Sequence, residues 1–452
     1  MSLPTTNPAV EVLRPGDGGY DAAARMFYST GRPAVVVRPR DPDEIAAALT
    51  CAVRDGLAVA VRSGGHSPLG HDSNVGGMVI DLAHLDDVDV LDTSRRLVRV
   101  GGGATWGRVA AALDPHGWAL TAGDTATVGV GGLTLGGGIG WMVRKHGLAL
   151  DNLVGARVVT ADGRLLSASP DEHPDLFWAL RGGGGNFGVV VDFDFLAQSV
   201  GTVHFGSVAY RLDDVADLLA RWRDAMRVAP DELSSTLALP PRMPGAPPSA
   251  TVLLCYAGEP GTTGSEADAA IEPLLGLGTV SAARICERRY VDILEDAAPP
   301  RGLRLAVRNT LVPSLDDTVL AAIARLHAAT TVPTAIAVRG LGGAFSRVPV
   351  DATAFAHRHA EAMVVGLLML PDTATDAQVA RALVPWRAVA ALGAGPYVNF
   401  QGSATAEDLA AAYPPATYAR LATVKRDYDP GNRFALNHNV APARLAVRSP
   451  AA

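Results

Sequence analysis

Eight of the eighteen residues from Gly123 to Gly140, GDTATVGVGGLTLGGGIG, are glycine, and no other stretch restricts the fold of this chain more. Glycine loses more backbone freedom on ordering than any other residue, so a run this dense is not expected to form a regular helix. Its missing side chains instead let backbone N–H groups stand against a flat or anionic ligand. Two further segments, 63–76 with its SGGHS and 182–188 with its GGGGNFG, repeat the pattern.

Around these segments the sequence reads as α+β. VVVRPR (35–40) is β-rich, and DPDEIAAALTCAVRDG follows it as a helix, with Asp41 as the cap, Pro42 at the first position, Glu44 completing a capping box and Gly56 as the stop. Strands are expected at 57–62, 77–82 and 97–102, a helix over about 105–117, and a hairpin over 153–168 turned on Asp162-Gly163. The helix DEHPDLFWALRG and the strand VVVDFDFL flank the third glycine segment. Beyond about residue 203 the alternation lengthens, with strands near 205–211, 235–240 and 251–257 and helices near 213–227 and 263–275. LPPRMPGAPPS (239–249) reads as an exposed loop. We therefore expect one lobe from residues 1–203 and 402–452, and a second from 204–401.

Composition removes several function classes. Subtracting 46 acidic from 39 basic side chains leaves a net charge of −7, with no basic stripe for a nucleic acid. The three cysteines, Cys51, Cys255 and Cys286, lie far apart, and neither a disulfide framework nor a metal site is expected. No long apolar run and no leader pattern is evident, so a soluble cytoplasmic protein is expected, its oligomeric state open. Gly183, Gly185 and Gly188 satisfy G-x-G-x-x-G, but a helix precedes them and a strand follows, the reverse of a dinucleotide fingerprint. Walker A, H-E-x-x-H and G-x-S-x-G strings are absent from the sequence.

His66 follows a strand and sits among glycines and serines, in a loop suited to close backbone approach. Together with the other glycine segments and the NHN string at 437–439, it resembles the FAD-linked oxidases of the vanillyl-alcohol oxidase superfamily, in the berberine bridge enzyme-like branch. The branch's R-[SG]-G-G-H-[SN] loop is matched by Arg62, Ser63, Gly64, Gly65, His66 and Ser67. Its G-x-C-x-x-V-G-[VI]-G-G…GGG-x-G stretch is matched by Gly123 to Gly140. Asp151 to Leu153, Leu176 to Val190 and Tyr428 to Asn439 match further segments, so the likeness spans nearly the whole chain.

The resemblance implies a two-lobed fold binding FAD, with His66 joined to the flavin 8α-methyl. Where doubly tethered members carry a cysteine bonded to flavin C6, this chain has Thr125, so a single link through His66 is expected. Gly70, Val128, Gly129, Gly132, Gly138, Gly140, Gly188, Val189, Asn437 and Asn439 complete the implied cofactor set. In this branch a small residue at Val128 admits oxygen, which favours an oxidase over a dehydrogenase. PYVNF (396–400) matches the branch's substrate-side strand, making Tyr397 the candidate base and placing Asn399 on the same face. A tyrosine ordinarily titrates near 10, so such a base needs a neighbour that lowers it.

The expected reaction is hydride transfer from a substrate C–H to flavin N5, with O2 returning the flavin to its oxidised form and yielding hydrogen peroxide. Alcohols, sugars, amines and natural-product intermediates remain open as substrates, and a small or fairly apolar one is favoured. The rivals are a dehydrogenase with another electron acceptor and a flavin-holding protein without redox activity. His71, His438, Arg304, Arg308 and Arg339 are secondary candidates, whereas His357 and His359, two apart on an expected helix, point to different faces.

Overall fold

The computed structural model describes residues 10–444 apart from 243, 244, 246, 262, 297 and 299–301; part of the loop expected at 239–249 therefore lies outside the described residues. The first helix forms as Pro42–Arg54, with the Glu44 N–H donating to Asp41 at 2.8 Å and Glu44 in turn accepting from the Arg40 N–H at 2.7 Å. Its Ile45, Ala48, Leu49 and Ala52 pack on the strands Val35–Arg38, Met78–Asp81 and Val59–Arg62. These strands run parallel, with Glu11–Leu13 added antiparallel at one edge.

A second sheet is antiparallel, in the order Val88–Asp92, Leu97–Gly101, Val189–Leu196, Leu153–Val159, Leu165–Ala168. It contains the expected hairpin, with Val159 opposite Leu165 and Gly163 at φ 86°. Trp106, Val109 and Leu113 bury against Phe193 and Phe195 of this sheet.

The third sheet has seven antiparallel strands, ordered Val280–Arg289, Thr202–Arg211, Ser249–Tyr256, Leu233–Leu239, Thr334–Gly340, Ala362–Pro371, Leu303–Val312. Side chains alternate along a strand, and here the alternation decides function. Leu237, Ile336, Val338 and Val364 join a core with helices Val215–Val228 and Asp317–Ala329. Their neighbours Thr236, Ala337, Arg339, Met363 and Val365 face the opposite way, into a cavity.

Four expectations change. The helix expected over 105–117 ends as Trp106–Leu113 and tightens into a 3-10 turn, Asp114–His116, because Pro115 has no N–H to give. Inside the glycine run, Val130–Gly136 does form a short helix. Tertiary contact overrides propensity there: a Cβ on Gly131 would stand 2.9 Å from the Gly102 carbonyl oxygen, so only glycine lets the helix lie that close. PYVNF is no strand; Tyr397 is extended and Val398–Phe400 is a 3-10 turn. No helix forms at His357 and His359: His357 lies in an irregular stretch and His359 in a turn, and Arg358 between them is drawn fully inside by a bidentate pair with Asp151 at 2.8 and 2.7 Å.

Candidate active site

The strand Val59–Arg62 delivers the SGGHS loop against the glycine run, backbone to backbone. A Cβ on Gly64 would fall 2.2 Å from the Gly129 nitrogen, and one on Gly129 would fall 2.1 Å from that of Gly64. Gly65, at φ 74°, makes the turn that presents His66. The His66 ring is held on two sides: Nε2 lies 3.0 Å from Thr127 Oγ1, and Phe27 stacks on it with ring centres 4.5 Å apart and planes 22° apart. Burial lowers its pKa, so the imidazole is neutral at physiological pH.

The C-terminal segment is fixed from beneath. Lys425, fully buried, pairs with Asp429 at 2.6 Å and donates to the Asn186 and Phe434 carbonyls at 2.7 and 3.0 Å. This ties the GGGGNF loop to the residues leading into NHN, where Asn437 Nδ2 donates to the Gly185 carbonyl at 3.2 Å.

Together these segments enclose a cavity of about 480 Å³, within the range of small-molecule and cofactor sites. Of the residues singled out in the sequence, Ser63, Gly64, Gly65, His66, Ser67, Thr125, Val128, Gly129, Gly132, Gly188, Tyr397, Asn399 and Asn437 line it. Other members of the implied cofactor set lie behind the wall. Arg62 turns away to Asp81 at 2.8 Å, and the Gly138 N–H is spent on Tyr397. Gly70, Gly140, Val189 and Asn439 are likewise absent from the lining. Of the secondary arginines only Arg339 reaches the cavity; Arg304 pairs with Asp376, and Arg308 donates to the Val307 carbonyl.

Tyr397 occupies an environment opposite to the one a base requires. It is 2% exposed, and burial pushes its phenol up to about 12. Donation to Oη from the Gly138 N–H at 2.8 Å and from Asn399 Nδ2 at 2.7 Å, the Ile139 backbone, and the charge of Arg339 all pull down without overcoming burial. Near neutral pH the phenol keeps its proton. Its backbone is gripped as well, by both ends of the Asn309 amide at 2.7 and 2.9 Å. Tyr397 therefore fixes the glycine turn at 137–139, and Asn399 seals it by donating to the Leu133 carbonyl at 2.9 Å.

Sequence reasoning missed the roof of the cavity and one ion pair. Arg339 bonds Asp124 at 2.5 Å, the Ile139 carbonyl at 3.2 Å and Thr236 at 3.2 Å. Burial pushes the Asp124 carboxyl up, but the Arg339 charge and hydrogen bond outweigh it and hold the group below its ordinary value. Asp72, also on the wall, is pushed by burial up to about 6, although its Oδ2 accepts the Ser67 N–H at 3.1 Å. Burial first, and His71 second, push His438 down to about 4.

The residues present fit FAD. His71 Nδ1, Asp72 Oδ1, Asn437 Oδ1 and His438 Nε2 are buried on the wall without a protein partner, which a polar ligand would satisfy. The backbone-to-backbone glycines leave room where side chains would fill it. FAD, when bound, supplies a hydride acceptor.

Comparison with known proteins agrees. The FAD binding domain model matches residues 33–169, and the model described as berberine and berberine like matches 397–441. The (R)-6-hydroxynicotine oxidase of Paenarthrobacter nicotinovorans is 32% identical over 96% of each chain. The crystal structure of 6-hydroxy-D-nicotine oxidase from Arthrobacter nicotinovorans superposes with a TM-score of 0.87 at 29% identity, over 96% of this chain and 98% of that one. A glucooligosaccharide oxidase from Acremonium strictum, whose structure is described as revealing a novel flavinylation, gives a TM-score of 0.84 at 25% identity over 96% and 97%.

Proposed function

The chain belongs to the FAD-linked oxidases that include the berberine bridge enzyme-like proteins, and on that premise we propose that it oxidises a small, fairly apolar amine, using a flavin tethered through His66 alone and O2 as electron acceptor. It is an FAD-dependent oxidoreductase, as its relatives are. The observation that carries the reading is the convergence on one cavity wall of His66, the Gly123–Gly140 segment, the 182–188 loop and Asn437.

A flavin accepts a hydride, and the remaining requirements fall to the protein. The roof is built of Thr236, Ala337, Met363, Val365, Ile139 and Phe400, which bind and orient an apolar substrate and exclude water. Arg339 is the one charged side chain among these roof strands that reaches the cavity, and Asp124 neutralises it. Oxidation of an alcohol removes an O–H proton as well as the hydride, whereas a neutral amine already carries the lone pair that assists C–H cleavage. Tyr397, protonated near neutral pH, suits the second case. The full-length similarity to a hydroxynicotine oxidase supports it. Thr125 offers a hydroxyl, held by Asp124 at 3.2 Å, in place of a thiol, which supports a single tether. Val128, half-buried on the wall, is the small residue that the family resemblance associates with access of oxygen, which supports O2 as the acceptor.

The test is anaerobic mixing with panels of secondary and tertiary amines, alcohols and sugars, followed by admission of air. Bleaching of the flavin by amines and rapid recovery with hydrogen peroxide formation are expected. Bleaching by sugars alone, or recovery only with an added dye, would replace the substrate class or the acceptor respectively.

A further inference from the structure

The clamp on His66 has a chemical meaning beyond orientation. A neutral imidazole carries one N–H and one free lone pair, and the partner of one nitrogen decides which is which. Thr127 Oγ1 sits 3.0 Å from Nε2, and no other hydrogen-bond partner of that ring is found among the described residues. Thr127 comes from the middle of the glycine run, two residues before Gly129 makes its contact with Gly64, so the same backbone approach that closes the loop sets this hydroxyl against the ring. On the ring's face Phe27, from the N-terminal segment, removes rotation about the ring plane by stacking at 4.5 Å. Phe27 is itself anchored, its N–H donating to the Gly65 carbonyl at 2.9 Å.

We propose that Thr127 and Phe27 are the positioning residues of flavin attachment: Thr127 accepts the Nε2–H, and the bond to the flavin methyl forms at Nδ1. The step balances without a further reagent until its end. The Nδ1 lone pair bonds to the 8α carbon as one methyl C–H and the imidazole N–H are lost. Their two protons and the electron pair reduce the flavin, and molecular oxygen takes both back as hydrogen peroxide. Accepting the Nε2–H also makes Nδ1 the stronger nucleophile, as a carboxylate or carbonyl does for other histidines. The inference rests on His66 being the tether and goes further in naming what selects the nitrogen.

The experiment follows acid-stable flavin against time after FAD is added to chain produced without flavin, with non-covalent occupancy read from native absorbance. Thr127→Val removes the hydroxyl at nearly constant volume, Thr127→Ser restores it, and Phe27→Leu removes the flat face. Attachment in Thr127→Val is expected to slow about tenfold or more, the rate equivalent of one lost hydrogen bond, with native FAD occupancy retained. Thr127→Ser should recover the rate, and NMR of the flavin peptide from the wild-type chain should place the bond at Nδ1. Attachment in Thr127→Val at the wild-type rate, or a bond at Nε2, overturns the assignment while leaving the tether intact. A wild-type chain whose flavin washes out entirely in acid overturns the tether and this inference together. Loss of native FAD occupancy in Thr127→Val with no recovery in Thr127→Ser also overturns it, since Thr127 would then act in folding.

Discussion

At the scale of single residues, burial decides most of what the polar groups of this site do. Tyr397 carries the family's substrate-side motif, yet its phenol accepts two N–H donors inside a core and titrates at about 12. Tyr397→Phe leaves those donors buried without an acceptor, a cost of about 1–3 kcal/mol. We therefore expect a lowered Tm with flavin reduction slowed less than about tenfold and no new ionisation in its pH profile; a fall of three orders of magnitude would restore the tyrosine as base. Asp72 gives a pH signature. Its folded pKa, about 6, exceeds the ordinary aspartate value of 3.8, so between these values the folded chain binds more protons than the unfolded one. Stability from this group is thus present at acid pH and lost as pH rises through about 6. In Asp72→Asn, whose amide oxygen can still accept the Ser67 N–H, the decline in Tm between pH 4 and pH 7 should shrink. An unchanged decline would mean that Asp72 does not titrate there.

At the scale of elements, the sequence was most legible where function requires backbone. Glycine segments announce themselves because a Cβ is intolerable: Gly64→Ala would set a methyl 2.2 Å from the Gly129 nitrogen. Overpacking of this kind costs about 1–3 kcal/mol or more, and no flexible side chain is present to yield. Reduced FAD occupancy on purification, read from the ratio of flavin to protein absorbance, is the expected outcome; full occupancy would show that the two loops can separate. The same glycines misled about local structure. Val130–Gly136 is helical because Gly131 fits under Gly102, a contact that no local pattern encodes. PYVNF matches the branch's substrate-side strand, but the Asn309 amide and the Tyr397 hydroxyl hold it as a turn. The capped helix Pro42–Arg54 and the Asp162-Gly163 hairpin, whose signals are local, formed as read.

At the scale of the whole molecule, the cofactor half of the site was readable and the substrate half was not, for a topological reason. His66, Thr125, Val128 and Asn437 belong to contiguous motifs. Thr236, Ala337, Arg339, Met363 and Val365 become neighbours only through the antiparallel pairing of three strands, each an ordinary alternating run in sequence. Arg339 then bonds this sheet to the glycine run through Asp124 and Ile139, which joins roof to floor. Arg339→Met should raise KM for the substrate more than it lowers the limiting rate of flavin reduction, because it loosens the roof rather than removing a reacting group. An equal fall in both kcat and kcat/KM would instead place Arg339 in the transition state. Val128→Leu narrows the wall at the flavin side, and slower reoxidation by O2 with unchanged anaerobic reduction is expected.

Oxidation by a tethered flavin depends on the attachment of FAD to one side chain. Intact-mass measurement of the denatured wild-type chain, with peptide mapping, tests it most directly. The prediction is one FAD per chain, carried on the peptide containing His66 and absent from His66→Ala, with the Thr125 peptide unmodified. A wild-type mass without FAD, or an FAD that persists in His66→Ala, would contradict it.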